Sequence, residues 1–386
     1  MSSAATQAAP PAVSTSAPQI SGRLASIDAL RGFDMFWIIG ADTLFAALKK
    51  VGGGNPAIDA VANQLDHVAW AGFRFYDLIF PLFVFIVGVS ITFSLSRRVA
   101  EVGRAAASAQ VFRRALILWL LGIFTYAGIE RGLENVRLLG VLQRIALCYL
   151  FAGLAFIYLK PKSLVVLCAS LLIGYWALMT FVPVPEFGAG NFDEGKNLAN
   201  YIDKEYLPLY RWDGDHDPEG LLSTLPAIGT CLLGIFAGLL LRNREISDQK
   251  KVAYLVTFGC AGVLLGFLWG LQFPVIKKLW TSSFVLVAGG FSALLLALFY
   301  YVIDIRKNGR WATPFYWIGL NAITVYLLVH IVSLEKIAAR LAGGEIKQGL
   351  DSLRTGLGDL LISLVALALA ILFCRFLYQR RIFLKV

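Results

Sequence analysis

The stretch "HVAWAGFRFYDLIFPLFVFIVGVSITFSLSRR" (67–98) decides the fold class of this chain. Residues 78–96 within it carry no charge. An apolar run of about 18 or more residues is long enough for an α-helix to cross a hydrocarbon core of roughly 30 Å. Two arginines close the run, and basic residues typically flank membrane helices on the cytoplasmic side. The stretch therefore predicts a transmembrane helix near 74–95.

Similar apolar runs recur along the rest of the 386-residue chain. The chain is 58% hydrophobic and only 16% charged, with a mean hydropathy of +0.69. A soluble domain of this length would need far more charge to cover its surface. We predict an all-α polytopic membrane protein with about ten transmembrane helices. The predicted helices lie near 27–48, 74–95, 112–129, 140–159, 163–182, 221–241, 252–271, 282–303, 314–333 and 358–377.

The basic residues indicate the orientation of the chain. Although the net charge is +10, these residues occupy short clusters between apolar runs and not one face or groove, which disfavours nucleic-acid binding. The clusters fall in alternate loops, which we place in the cytoplasm together with both termini. Lys277 and Lys278 are a contrary pair on the outer side. The basic clusters are Arg97, Arg98, Arg104, Arg113 and Arg114; Lys160 and Lys162; Arg242, Arg244, Lys250 and Lys251; Arg306, Lys307 and Arg310; and Arg380, Arg381 and Lys385.

The N-terminal segment and the cysteines give two further predictions. The first 23 residues are rich in Ala, Ser, Pro and Thr, so 1–23 is predicted to be a disordered cytoplasmic tail, followed by a transmembrane domain over 24–386. The five cysteines all fall in apolar runs, and none has metal-ligand spacing. We therefore expect buried thiols, no disulfides and no metal site. The cysteines are Cys148, Cys168, Cys231, Cys260 and Cys374.

The longest connection, the outer loop 183–220, is rich in acidic residues. One interpretation is a solvated loop, and the other is an acidic mouth that attracts a cationic substrate. Asp217 and Glu219 end this loop, where acidic side chains can cap the next helix or bind the substrate.

Ionisable residues inside predicted spans are candidates for function. The first span contains Asp28, Arg31, Asp34 and Asp42, of which the first three favour an internal salt-bridge and capping group. Asp42 lies towards the outer end of this span. Asp77 opens the second span, and Arg144 lies about one turn into the fourth; we include Asp77 and Arg144 among the predicted substrate-binding residues.

The chain has only three histidines, His67, His216 and His330, and the predicted topology places all of them at the outer end of the bundle. Histidine is the side chain best suited to proton transfer near neutral pH. We expect Asp42 and Asp77 near His67, and a carboxylate bonded to an imidazole fixes its tautomer and raises its basicity. A lone histidine is nevertheless more often structural than catalytic.

Six blocks of this sequence, in order, resemble the heparan-α-glucosaminide N-acetyltransferase family. The resemblance runs from about residue 24 to the last predicted span, and no single block would be specific alone. The blocks are "SIDALRGFDMFWIIGAD" (26–42), "HVAWAGFRFYDLIFPLFVFIVGVS" (67–90), "GVLQRIALCYL" (140–150), "DPEGLLSTLPAIGT" (217–230), "PVIKKLWTSSFVL" (274–286) and "PFYWIGLNAITVYLLVH" (314–330).

The resemblance implies a membrane enzyme that takes an acetyl group from cytoplasmic acetyl-CoA, as co-substrate, and delivers it to a terminal glucosamine amine on the opposite side. The family's catalytic histidine falls on His67. Its polar partner falls on Asp42, where animal members carry Asn. We expect no counterpart of the extra N-terminal lumenal domain of the animal enzymes, as is typical of a bacterial short form in the cytoplasmic (inner) membrane, so the acceptor is open. A homodimer is one option for the oligomeric state.

The other candidate residues divide between two substrates. The phosphates of CoA would suit basic side chains, although positive-inside topology also explains them. Further acceptor-lining candidates are Trp280, Asn321 and His330. Alternative functions are an O-acetyltransferase of envelope glycans and a membrane transporter. The predicted CoA-binding residues are Arg31, Arg97, Arg98, Arg113 and Arg114.

Overall fold

The computed structural model describes residues 24–126, 128–130 and 132–384. The predicted tail therefore lies outside the described residues. Within those ranges the chain is all-helical, with no strand. The α-helices are α1 (Ala25–Gly52), α2 (Pro56–Gln64), α3 (Ile79–Thr125), α4 (Val141–Tyr158), α5 (Pro161–Phe181), α6 (Leu198–Tyr206), α7 (Thr224–Arg242), α8 (Asp248–Gly270), α9 (Ser282–Phe299), α10 (Thr313–Leu320), α11 (Ala322–Ile331), α12 (Leu334–Ala342), α13 (Glu345–Leu353) and α14 (Leu357–Gln379).

The apolar helices confirm a multi-pass membrane protein. Seven helical segments in the described part of the chain are long and apolar enough to cross a membrane. The pair α10 and α11, bent by 67° at Asn321, makes an eighth if it counts as one span. Each of the ten predicted spans coincides with helix, including α1, whose six ionisable residues set it apart from the apolar segments. The count of ten and the side of each terminus stay predictions.

Two predicted spans belong to the single long helix α3, which is interrupted at Gly103 (φ 79, ψ 171). A Cβ on Gly153 of α4 would lie 3.4 Å from the side chains of both Leu95 and Val111. These two residues are each eight positions from Gly103, and a straight helix would hold them about 24 Å apart. The chain therefore reverses at Gly103, and only glycine adopts this backbone conformation without strain. Residues 75–125 thus form a helical hairpin.

Close backbone contact joins this hairpin to α7. A Cβ on Gly88 would meet the carbonyl oxygen of Cys231 at 1.9 Å, and one on Gly234 would meet that of Phe85 at 2.0 Å. Small residues at such crossings let membrane helices approach until their backbones touch. This packing places α3, α4 and α7 in the main apolar core.

The long loop 183–220 is folded. It contains α6, and it adds Val184, Leu198 and Ala199 to a second apolar core that also includes Phe273 and Ile276. Asn197 caps α6 by accepting a hydrogen bond from Asn200 N at 2.9 Å. The loop therefore packs on the 272–281 connection, and the two form one end of the bundle.

Candidate active site

The segment that carries His67 is held by hydrogen bonds from both sides. It follows α2, whose last residue, Gln64, accepts a hydrogen bond from Phe75 N at 3.1 Å. The Asp77 carboxylate accepts from Arg74 N at 3.0 Å and from Val68 N at 3.4 Å. The Arg74 guanidinium donates back to the His67 carbonyl at 3.0 Å. Asp77 thus fixes the chain on both sides of the turn that precedes α3.

The His67 imidazole is bonded to the same carboxylate. Its Nδ1 lies 2.8 Å from Asp77 Oδ1, and because a carboxylate only accepts, Nδ1–H is the donor. The His67 ring stacks on Tyr76 with centroids 4.6 Å apart. Its side chain is 46% exposed, whereas that of Asp77 is 0% exposed. This arrangement leaves Nε2 with a lone pair on a ring whose orientation is fixed, as a general base requires.

Lys277 joins this pair from a distant part of the sequence. Gly72 N donates to Val275 O at 2.8 Å, which holds the 272–281 connection against the His67 segment. The Lys277 ammonium then lies 3.0 Å from both ring nitrogens of His67 and 3.8 Å from Asp77 Oδ1. We call His67, Asp77 and Lys277 the histidine cluster.

A second, buried cluster is centred on Arg137. Its guanidinium donates to both oxygens of Asp217, at 2.9 and 2.6 Å, and to Glu219 Oε2 at 2.6 Å. The rings of Tyr126 and Trp212 lie 4.5 and 4.9 Å from the guanidinium carbon. Burial opposes the charge, but the bonds to Asp217 and Glu219 outweigh it and raise the pKa of Arg137. We call Arg137, Asp217 and Glu219 the arginine cluster.

Burial is the main influence on the Glu219 carboxyl of the arginine cluster, and it raises the pKa of that group. The positive charges of Arg137, Arg144 and, to a smaller extent, Lys277 act in the opposite direction and lower the pKa of Glu219. Of the predicted substrate-binding residues, Asp77 lies in the histidine cluster, and Asp217 and Glu219 lie in the arginine cluster. Asp217 and Glu219 already bind a cation of the protein, Arg137.

Arg144 and Trp280 lie beside the arginine cluster but are fully enclosed. Arg144 is 0% and Trp280 1% exposed. The Arg144 guanidinium lies over the Trp280 ring at 4.9 Å and donates to Ser223 Oγ and, at 3.3 Å, to Gly220 O. Its Nε and Nη1 have no hydrogen-bond partner among the described residues. Trp280 Nε1 donates to Thr230 at 3.0 Å, so neither side chain reaches a substrate unless the packing changes.

His330 and Asn321 lie on the bent pair. The His330 ring stacks on Tyr326 at 4.1 Å. His330 also lines a cavity of about 220 Å³ next to Gly40 and Thr43 of α1. Asn321 lies at the bend, is 2% exposed and donates to Trp317 O at 3.2 Å.

The first helix carries the remaining predicted residues. The Asp42 side chain lies outside the described part of the structure, so its distance from His67 stays untested. Arg31 pairs with Asp28 at 3.4 Å and donates to Ser90 Oγ at 2.8 Å. The cap of α1 comes from Asp304, which accepts from Ala25 N and Ser26 N.

The remaining predicted CoA-binding residues lie on the Gly103 hairpin. Arg97 is bonded to Glu101 at 2.7 Å with its side chain 80% exposed, and Arg98 is 3.9 Å from the same carboxylate. Arg113 is exposed, and Arg114 lies over the Tyr149 ring at 5.0 Å. Since residues 79–102 span roughly 36 Å as a helix, the hairpin tip is far from the histidine cluster.

Arg137 and Lys277 are not among the predicted site residues, although one signal could have found them. Both lie in loops that the predicted topology places outside, where the positive-inside rule disfavours basic residues. A basic residue that breaks this rule needs a local reason, and here the reason is an ion pair with buried carboxylates.

Cys260 also differs from expectation, because its thiol is exposed on α8.

The fold and the site together define a multi-pass helical membrane protein with a hydrogen-bonded histidine–carboxylate pair at one end. Comparison with known proteins is consistent with that class. The family model "Heparan-alpha-glucosaminide N-acetyltransferase, catalytic" matches residues 23–268. The chain belongs to this family, which confirms the resemblance.

Two curated relatives match beyond that segment. The heparan-alpha-glucosaminide N-acetyltransferase of Homo sapiens is 28% identical over 436 residues, and that of Mus musculus is 28% identical over 435. Each alignment covers 94% of this chain but 60% of the relative. The chain therefore spans less than two thirds of the length of these relatives.

Proposed function

We propose that this chain is a membrane-bound acetyltransferase that moves an acetyl group from acetyl-CoA to the amine of a terminal glucosamine-type sugar. The observation that carries the proposal is the 2.8 Å hydrogen bond between His67 Nδ1 and the buried Asp77 carboxylate. Family membership supplies the reaction class, and this pair is the described group best suited to proton transfer.

In the proposed reaction His67 acts as a general base. An amine attacks a thioester only when it is unprotonated. The nitrogen of the sugar amine bonds to the thioester carbonyl carbon and gives its proton to His67 Nε2. The carbon–sulfur bond then breaks, and the thiolate of CoA takes the proton from His67. An alternative route places the acetyl group on His67 first, as an acyl-imidazole.

Lys277 has a position that suits the charge developed in this reaction. Its ammonium lies 3.0 Å from the His67 ring nitrogens, so a reacting carbonyl beside Nε2 would also lie near Lys277. Fixed positive charge at the site where an oxyanion develops is among the largest contributions to catalysis. We propose Lys277 as the group that stabilises the oxyanion, with Asp77 as the residue that orients both side chains.

The proposal includes a direction of transfer. The hairpin arginines would attract acetyl-CoA to the cytoplasmic side, and the histidine cluster would meet the acceptor from the opposite side. In this arrangement the loop 183–220 lies outside, both termini are cytoplasmic, and the membrane is the bacterial cytoplasmic membrane.

The direct test incubates the purified chain with acetyl-CoA labelled in the acetyl group and a panel of amino sugars. An amide product on glucosamine-type acceptors supports the proposal. Labelled ester on glycan hydroxyls would replace it with an O-acetyltransferase. Absence of acetyl-CoA consumption, together with solute uptake into proteoliposomes, would instead identify a transporter.

Sidedness has its own test, which uses the Cys260→Ser background to remove the exposed thiol. Cysteines at Glu186 and Ala105, both exposed, should react oppositely with an impermeant thiol reagent added to intact cells. We expect labelling at 186 and not at 105. The reverse result would contradict the proposed orientation.

A further inference from the structure

A second group of potential ligands lies in the folded loop, apart from the histidine cluster. Glu194 precedes α6, and Asp213 and His216 follow it. One ligand atom from each of these three side chains lies within 4.8 Å of the other two. We call these three residues the loop cluster. Their carboxylates and imidazole belong to different parts of the loop, so the fold of 183–220 brings them together.

His216 is the informative member, because its side chain is 5% exposed. Its Nδ1 lies 2.6 Å from Asp215 Oδ1, and since that carboxylate only accepts, Nδ1–H is the donor. The other nitrogen, Nε2, is buried with no hydrogen-bond partner among the described residues. It lies 3.7 Å from both Glu194 Oε1 and Asp213 Oδ2. A buried nitrogen facing two carboxylate oxygens requires positive charge between them.

Lys278 supplies positive charge in the described structure. Its ammonium lies 2.7 Å from Glu194 Oε1 and 2.9 Å from Asp213 Oδ2. The ammonium therefore lies against the same two oxygens that face His216 Nε2. An ammonium could donate a hydrogen to the Nε2 lone pair, yet no hydrogen bond joins Lys278 to His216. The cluster is thus better completed by a cation that the nitrogen lone pair can coordinate.

We propose that Glu194, Asp213 and His216 bind a divalent transition metal of the Zn²⁺ type, and that Lys278 occupies the metal position in the metal-free protein. Zn²⁺ binds imidazole nitrogen and carboxylate oxygen at about 2.0–2.2 Å, which sets neighbouring tetrahedral ligands roughly 3.4 Å apart. The two 3.7 Å separations of His216 Nε2 from the carboxylate oxygens need only a small contraction, and the two oxygens lie within 4.8 Å of each other. One nitrogen and two oxygens favour Zn²⁺ over Ca²⁺ or Mg²⁺, which prefer oxygen alone.

Two neighbouring residues fit this role. Asp215 bonds the far side of the His216 ring, as the outer carboxylate of a carboxylate–histidine–metal group does, and fixes Nε2 as the ligand atom. Lys278 is 33% exposed in its side chain, so it can turn to solvent when the metal enters. Its neighbour, Lys277, contacts His67. Metal binding therefore acts on the connection that also carries part of the histidine cluster.

The test titrates Zn²⁺ into the purified Cys260→Ser protein after chelation, with calorimetry as the measurement and Co²⁺ absorption as the probe of coordination. We expect one saturable site. His216→Gln should weaken binding at least 100-fold. Asp215→Asn should weaken it about 10–100-fold, the usual cost of losing an outer partner. Lys278→Gln should tighten it about tenfold or more, because the competing ammonium is gone.

His330→Gln is the matched control, since it removes a histidine outside the loop cluster and should leave Zn²⁺ affinity unchanged. Absence of saturable Zn²⁺ binding in both the parent and Lys278→Gln would overturn the proposal, and would assign the loop cluster to a charged His216 paired with its carboxylates. Tighter binding of Ca²⁺ than of Zn²⁺, or unchanged affinity in His216→Gln and Asp215→Asn, would also contradict it. None of these readouts depends on acetyl transfer.

Discussion

The two ends of the Gly103 hairpin carry charge in opposite ways. At the end where α3 begins, Asp77 is 0% and Arg137 4% exposed, and each binds several partners at fixed distances. At the tip, Arg97 is 80% exposed and pairs with a glutamate one turn along its own helix. Buried charges persist only with well-placed partners, whereas exposed pairs contribute little. The charged side chains at the first end are therefore held at fixed positions by their partners, whereas the arginines at the tip are exposed to solvent.

The largest expected effect is the loss of catalysis in His67→Ala. General-base catalysis typically supplies about 10²–10⁴-fold, so the rate of acetyl transfer should fall at least about 100-fold. The side chain is 46% exposed, so the melting temperature should change little. Binding of acetyl-CoA should be largely retained, because the proposed phosphate contacts lie at the hairpin tip.

The control for this prediction is His330→Ala, which removes an imidazole that stacks on Tyr326 but does not contact Asp77. It should cost clearly less activity. Near-normal transfer by a folded His67→Ala protein would exclude the histidine cluster as the base, and Asp42, Asp217 and His330 would become the next candidates.

Mutation of the arginine cluster should lower the stability of the fold. Arg137→Met leaves Asp217 and Glu219 buried without their cation, and breaking a buried pair from one side costs about 3–5 kcal/mol. Thermal unfolding in detergent measures the loss. Arg113→Met, at an exposed position, should change stability by no more than about 0.5 kcal/mol. A cost below about 1 kcal/mol for Arg137→Met would show that the two ends do not differ as argued.

A rescue variant separates charge from packing in that result. Adding Asp217→Asn and Glu219→Gln to Arg137→Met removes the orphaned charges while keeping similar volume. The triple variant should recover part of the lost stability, because the penalty comes from unpaired carboxylates. Equal stability of the single and triple variants would assign the loss to the contacts of Arg137 with Tyr126 and Trp212.

The contrast also shows what sequence patterns can predict. Apolar runs are local, so each predicted span coincides with helix. His67 and Asp77 lie ten residues apart in one block, so their short separation in the sequence already favours a pair. Lys277 reaches His67 from 210 positions away, and Arg137 reaches Asp217 from 80 positions away. Such pairs depend on how loops fold together, which local periodicity does not contain.

The burial of individual side chains is the other property that could not be predicted from the sequence. Trp280 suits a sugar face by residue type, yet it packs against Phe80, Phe284 and Arg144 at 1% exposure. The loop 183–220 could be taken for a solvated acidic segment, but α6 and its apolar side chains fold it onto the 272–281 connection. Neither outcome follows from composition, because both are set by contacts between separate segments.

A pH effect of intermediate size is expected from Asp203, beside the arginine cluster. Its oxygens accept from Leu221 N at 2.8 Å and Asp217 N at 3.3 Å, but burial dominates and raises its pKa to about 6. The unfolded chain releases this proton near pH 4. Asp203 therefore stabilises the fold below about pH 4, and that contribution is lost as pH rises through 6.

The shift corresponds to a loss on the order of 3 kcal/mol between pH 4 and pH 7. Melting temperatures of the parent and Asp203→Asn, compared across this range, should differ in slope, with the parent falling more steeply. Glu205→Gln, an exposed change on the same helix, should keep the parent's slope. Identical slopes for all three proteins would mean that Asp203 does not hold a proton in the folded state.

The smallest effect is expected at the hairpin tip. If Arg97 and Arg98 contact CoA phosphates, Arg97→Gln with Arg98→Gln should raise the KM for acetyl-CoA and leave kcat and the acceptor KM unchanged. A charge-assisted contact is worth about 1.5–3 kcal/mol at most. Because these side chains are exposed and screened by salt, we expect tenfold or less for the pair, decreasing further at high ionic strength.

Glu101 gives this prediction a control of opposite sign. Its carboxylate binds Arg97 at 2.7 Å and lies 3.9 Å from Arg98, so it competes with any phosphate for both guanidinium groups. Glu101→Gln should therefore lower the KM for acetyl-CoA, in the direction opposite to the arginine variant, if these arginines bind CoA. Positive-inside topology alone predicts no change in either variant, because correct insertion needs only net positive charge in the loop. Unchanged kinetics in both would leave the tip with a topological role and place the CoA phosphates elsewhere, with Arg31 as the next candidate.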